Sequence, residues 1–228
     1  MNVPSFRTKL ISLADDEYRE FSMRGIPCDR PFLGVRIPDI KKLVREIPEK
    51  DFAEFLNAEP VAIEEVLARG FLLARLPYEK ILEVFDSQVK LLDNWCAVDT
   101  FCSALRKTVK NHEPDFLDKK VEPLLNSKNE FSVRAGLVFL LDFYVKFDYL
   151  FLIFDRVESL KTRDEYYIKM ALAWLLAECF IKFPAETLAY FKVSSLDKWT
   201  FNKAISKISD SRRVDSETKS ILKRLRRK

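Results

Sequence analysis

The sequence predicts an all-α protein of about a dozen helices joined by short loops. Two observations predict the helices. Glycine is scarce, with four in 228 residues (Gly25, Gly34, Gly70 and Gly136), whereas β-rich folds and phosphate-cradling α/β folds use glycine for turns and close backbone approach. Apolar residues also recur at spacings of three and four, the period of a one-sided helix. Pattern alone does not separate a curved array from an irregular bundle, because the helix pairs show no legible consensus at a fixed period.

The apolar periods cover Phe6–Phe21, Ile40–Ile47, Val61–Leu73, Ile81–Leu92, Val98–Val109, Phe131–Tyr144, Tyr167–Phe180 and Phe201–Ile208. Proline marks the boundaries. Pro38-Asp39 suits the first turn of a helix, and Pro60, Pro77, Pro114, Pro123 and Pro184 fall at or near other ends. Asp164, Asp197 and Asp215 are candidate N-caps.

Composition bounds the class. Hydrophobic residues make up 48% and charged residues 32%, which fits a globular chain rather than a disordered one. The expected domain is single, spanning 1–228 and ending in a basic C-terminal helix, 212–228. That tail carries eight basic and two acidic residues, a net of +6 against +4 for the whole chain. Localised basicity suits a polyanionic partner, and a frayed, solvated helix end is the competing reading. No apolar stretch reaches membrane-spanning length, and Met1–Leu10 lacks the apolar core of a secretory leader. A cytoplasmic protein with reduced, mostly buried cysteines is expected (Cys28, Cys96, Cys102, Cys179). One histidine, His112, and no CxxC leave a poor metal-ligand inventory. No metal or cofactor is expected, and His112 reads as a capping or solvent residue.

The stretch SMRGIPCDRPFLGVRI, from Ser22 to Ile37, is the one well-marked non-helical segment. It holds Arg24, Arg30 and Arg36 beside two glycines and two prolines. Arginines on such a loop can reach an anion. The same segment can equally be a structural crossover with Phe32 and Leu33 in the core.

Trp95 and Asp99 stand four apart in NWCAVDTF, which places both on one helix face. A carboxylate in so apolar a segment needs a partner or a purpose; a salt bridge to Arg106 or Lys107 is the plain alternative. Arg134, in EFSVRAGLVFLLDF, can snorkel to the surface. Trp174, in YYIKMALAWLLAECF, suits a core. Lys203, Lys207, Arg212 and Arg213 could reach phosphates or simply face solvent.

In order, these segments resemble the AlkD-like DNA alkylation repair family, the HEAT-like repeat DNA glycosylases. The resemblance runs from FSMRGIPCDRPFLGVRIPDIKKL through W-x-x-x-D at Trp95 and Asp99, the F-S-V-R-A segment at Arg134, and Y-Y-I-K-M-A-L-A-W at Trp174 to W-T-F-N-K-A-I-S-K-I. It implies a superhelical array of HEAT-like antiparallel helix pairs, a C-shaped solenoid with a basic concave face for alkylated double-stranded DNA. The activity implied is excision of cationic N3- or N7-alkylated purines without flipping the base. By that resemblance Asp99 stabilises the oxocarbenium ion and positions water, Trp95 and Trp174 press on the lesion nucleotide, and Arg134 holds a phosphate. Arg24, Arg30, Arg36, Lys203, Lys207, Arg212 and Arg213 are the further candidate DNA contacts. An alkylated purine leaves as a cation, so no general acid, metal or nucleophilic cysteine is required. A monomer is expected.

The sequence departs from the family pattern W-x-L-R-x-Y after the second tryptophan. Ala177 stands where arginine is expected, with Glu178 beside it, and Cys96 replaces a usually polar residue. One phosphate contact is thereby removed, at about 1.5–3 kcal/mol for a charge-assisted hydrogen bond. Two alternatives follow: a DNA-binding relative without excision, and a protein–protein scaffold.

Overall fold

The helix boundaries follow from caps that short polar side chains provide. In the computed structural model, which describes residues 1–228, Asn2, Asp15, Asn94, Asn129, Asp197 and Asp215 each accept a hydrogen bond from an otherwise unpaired backbone N–H of the helix that follows. Pro38 lies in the first turn of its helix, where the missing N–H costs nothing.

The chain forms two compact units, Met1–His112 and Glu113–Lys228. The first contains α1 (Val3–Ser12), α2 (Asp16–Met23), α3 (Ile37–Arg45), α4 (Phe52–Asn57), α5 (Ile63–Leu73), α6 (Tyr78–Val89), α7 (Trp95–Ala104) and α8 (Arg106–Lys110). The second contains α9 (Glu113–Phe116), α10 (Glu122–Leu125), α11 (Glu130–Phe139), α12 (Leu150–Ser159), α13 (Tyr166–Lys182), α14 (Pro184–Val193), α15 (Lys198–Asp210) and α16 (Ser216–Arg224). There is no β-strand, and no helix is long and apolar enough to cross a membrane.

Within each unit, helices that alternate along the chain stack on one another. In the first, α1 packs on α3, α3 on α5 and α5 on α7. In the second, α11 packs on α13 and α13 on α15. Gly70 permits the α5–α7 approach: a Cβ there would stand 3.3 Å from the Cα of Phe101. Two of the row helices, α5 and α13, carry much of the core. Ten of the eleven residues of α5 are buried, and α13 is apolar nearly all round.

Four local expectations need correction. The apolar period Phe6–Phe21 is two helices, because Asp15 caps a new helix at Tyr18 N. Asp164 does not cap α13; its carboxylate holds Lys169 at 2.9 Å, and the N-cap position belongs to Glu165. His112 neither caps nor faces solvent freely, since its ring stacks on Tyr78 at 3.8 Å. The basic tail is helical only over Ser216–Arg224, and it is not frayed. Arg227 donates to the carbonyls of Leu196 and Ser194, exchanges hydrogen bonds with Asn202 and lies 4.2 Å over the Phe201 ring.

Candidate functional site

Asn94 sets the position of Trp95 and Asp99. Its side chain is fully buried, accepts from Ala97 N at 2.9 Å and donates to Asp93 at 2.8 Å, so α7 begins at Trp95. Ala97, Val98, Phe101 and Cys102 then face the core. Trp95, Asp99 and Ser103, at successive i+4 positions, stay half-buried or exposed. Asp99 is thus not turned into the interior. The indole Nε1 of Trp95 donates to the Gly25 carbonyl at 2.8 Å, which fixes the ring against the loop that follows α2.

That loop is held firmly. Glu64 is fully buried, and its carboxylate accepts the N–H groups of Leu33, Gly34 and Val35 at 3.0, 2.8 and 3.2 Å. Three consecutive amides solvate the buried charge in place of water. Gly34 adopts φ +87°, and a Cβ there would lie 2.2 Å from the Asp15 carbonyl oxygen, so only glycine fits. Phe32 is buried and Leu33 half-buried. Of the three loop arginines, Arg30 pairs with Asp93. Arg36 pairs with Asp15 at 3.0 Å and lies 4.4 Å over the Tyr18 ring. Arg24 is exposed at the C-terminus of α2. The crossover reading therefore holds for most of this segment.

The two thiols near α7 are poor nucleophiles. Burial, with the Asp99 charge adding to it, pushes the Cys96 thiol up. Burial also raises Cys28, which lies near the Asp93 carboxylate. Both stay protonated at neutral pH.

Arg134 and Trp174 belong to the second unit. Arg134 on α11 is 5% exposed and donates to the Tyr167 carbonyl at 3.2 Å. Glu130, one turn earlier, accepts the Tyr167 N–H at 2.7 Å. Since Glu165 makes no side-chain cap, α11 supplies from outside the cap that α13 lacks. Arg134 does not snorkel to the surface.

Trp174 is half-buried on α13 and opens onto a pocket of about 320 Å³, shared with Ala177, Glu178, Ile181, Lys207, Asp210, Ser211 and Arg213. Lys207 stands 5.9 Å over its ring. Glu178 pairs with Arg213 at 2.6 Å. The pocket thus contains a guanidinium although residue 177 is alanine, and the anion of Glu178 is locally offset. Lys203 is half-buried on α15, and Arg212 is exposed. Trp95 and Asp99 thus share one helix face, and Trp174 meets Lys207 and Arg213. Lys203 on α15 and Arg134 on α11 belong to the same stack without joining this pocket.

The residues that hold these side chains were not visible as site residues in the sequence. Glu64 and Glu130 look like ordinary helix glutamates, and their amide partners lie about thirty residues away or more. Only Gly34, in the FLGV segment, carried a signal, since a loop glycine invites a positive φ.

These features define an all-α protein of stacked alternate helices, with an indole–carboxylate pair on one row helix and an indole–cation pocket on others. The chain belongs to the DNA alkylation repair enzyme family, whose pattern it matches over residues 6–208. Among solved structures it is similar to one described as a predicted DNA alkylation repair enzyme from Enterococcus faecalis, at 17% identity and a TM-score of 0.66. That similarity covers 93% of this chain and 97% of the other, and at this identity it establishes the fold. No curated protein matches the sequence.

Proposed function

We propose that this protein binds alkylated double-stranded DNA as a monomer, on HEAT-like helix pairs, and hydrolyses the N-glycosidic bond of cationic N3- or N7-alkylated purines without base flipping. The observation that carries the reading is the half-buried Asp99 one turn beyond a hydrogen-bonded Trp95, in a chain of this repair family. An alkylated purine already carries positive charge, so its departure needs no proton. What the transition state needs is stabilisation of the positive charge growing on the deoxyribose. A fixed carboxylate does this at no reorganisation cost. Asp99 would also orient the attacking water.

Trp95 and Trp174 offer π faces to the lesion nucleotide. Lys203, Lys207, Arg24 and Arg212 supply phosphate contacts, and Arg213 does so only by leaving Glu178. Arg30 and Arg36, already paired with carboxylates, act chiefly in shaping the loop. Arg134 raises the positive potential near a phosphate from its buried position, where charge is poorly screened. The reaction uses no cofactor, and the cytoplasm or nucleoid is the place for it.

The test is release of free base from methylated duplex DNA. Wild type releases 7-methylguanine or 3-methyladenine, and Asp99→Asn loses about a hundredfold or more of the rate while binding duplex unchanged, as for loss of one preorganised electrostatic partner. Equal release by the two proteins removes Asp99 from the mechanism. A second reading, DNA binding without excision, is favoured by Ala177 and by the Glu178–Arg213 pair, which ties up one guanidinium. Salt-sensitive duplex binding with no released base would establish it.

A further inference from the structure

The second unit exposes two large aromatic rings side by side, outside the Trp174 pocket. Trp199 keeps 40% of its surface in solvent and Tyr166 keeps 56%. Their centroids lie 5.8 Å apart at a tilt of 59°. Tyr166 opens α13 and Trp199 lies in the first turn of α15, so the packing of these two row helices brings the rings together. Leaving such rings in water forgoes burial, and a cluster of them marks a contact surface.

Trp199 also lines an open groove of about 590 Å³ with Asp197, Lys198, Asn202, Lys203 and Ser206. Cations surround it. Lys198 and Lys203 lie in the wall. Arg226 donates to Ser206 Oγ at 2.8 Å, which brings a guanidinium from the docked tail. Lys169 stands 5.3 Å over the Trp199 ring. The one carboxylate in the wall, Asp197, is already engaged. It accepts the amides of Trp199 and Thr200 at 2.9 and 3.1 Å and meets Lys169 at 3.4 Å. Asp164, at 2.9 Å from Lys169, and Glu165, which precedes Tyr166 and pairs with Arg163 at 2.6 Å, are further acids, each already engaged by a cation.

Exposed aromatic faces bordered by cations suit an unpaired nucleotide. Its base stacks on a ring, and its phosphates meet the cations. A base inside a duplex cannot do this, because its neighbours cover both faces. We propose that the Trp199 groove, with Tyr166 beside the Trp199 ring, binds an unpaired nucleotide of single-stranded DNA, as found at a frayed end, gap or overhang. The proposal rests on the DNA-binding reading above and adds a ligand class to it.

The test compares a blunt duplex with the same duplex carrying a short thymidine overhang, by fluorescence anisotropy at fixed salt. The overhang strengthens wild-type binding at least about fivefold, the lower range for stacking one base on an aromatic ring. Trp199→Ala abolishes that gain and leaves blunt-duplex affinity unchanged. Trp199→Phe keeps most of the gain, and Tyr166→Ala, read separately, reduces it. Equal wild-type affinity for the two DNAs overturns the groove and leaves the duplex reading intact. A gain that survives in both alanine variants also overturns it. Overhang binding without blunt-duplex binding supports the groove and ends the duplex reading, whereas no binding to either DNA ends both.

Discussion

The indole nitrogen of Trp95 donates to the carbonyl oxygen of Gly25 at 2.8 Å, across seventy residues of chain. This bond joins the helix that carries Asp99 to the loop that follows α2. Trp95→Phe keeps a ring and removes the donor. It is expected to lower unfolding free energy by about 0.5–1.5 kcal/mol, the net worth of one such bond, in urea titrations. Base release should fall further than this loss of stability explains, because the ring is no longer fixed in rotation.

Gly34→Ala is expected to destabilise the fold by about 2 kcal/mol or more. The new methyl meets the Asp15 carbonyl at 2.2 Å in a positive-φ conformation, and strain of both kinds adds. Gly25→Ala is the control. A Cβ there meets nothing within 4 Å, so stability should stay within about 0.5 kcal/mol of wild type. Chemical denaturation of the pair separates the effect of conformation from that of losing any loop glycine.

How much of this was legible in the sequence depends on distance along the chain. Asp197 and Asp215 could be read as caps because a cap and its amides lie within three residues. Asp164 looked equally good and failed, because Lys169, one turn into the same helix, took its carboxylate. The split of Phe6–Phe21 was hidden because its apolar spacing continues across the break; only Asp15 marks it. Trp95 and Asp99 were readable as a pair since both lie on one helix. The Gly25 acceptor, the Glu64 amide cluster and the Glu178–Arg213 pair depend on tertiary packing, and no local pattern encodes them. The local charge of the tail suits a polyanion or solvent alike, and its docking is hidden because the acceptors that hold Arg227 are backbone carbonyls of Ser194 and Leu196, which sequence does not distinguish.

Arg227→Ala should lower stability by about 1–3 kcal/mol, since its guanidinium satisfies backbone carbonyls and covers the Phe201 ring. A melting-temperature shift of several degrees by differential scanning calorimetry is the readout. Lys228→Ala, in the exposed last residue, should leave the melting temperature unchanged. Equal behaviour of the two variants would show that the tail is not docked.

Stability on the acid side should depend on Glu158. Burial alone would raise its pKa, but hydrogen bonds from the Ser195 hydroxyl, the Tyr190 hydroxyl and the Ser195 amide, helped by Lys161, hold it below the ordinary 4.5. A carboxyl depressed in the folded state stabilises the protein above its unfolded pKa. That contribution is lost as pH falls through the lower folded value. Glu158→Gln should therefore be less stable than wild type at neutral pH, and the gap should close below about pH 4.5. Thermal melts across that range give the answer; a constant gap would mean that charge is irrelevant there.

Residues 134, 174 and 207 come from α11, α13 and α15, three successive rungs of one stack. Their pitch in space is set by helix packing, at roughly 8–10 Å per step. Their interval along the chain is set instead by the returning helices α12 and α14 and the turns around them. Lengthening a return changes the count and spares the pitch. Relatives can therefore drift in numbering until no fixed period survives, while the order of the rungs still identifies them.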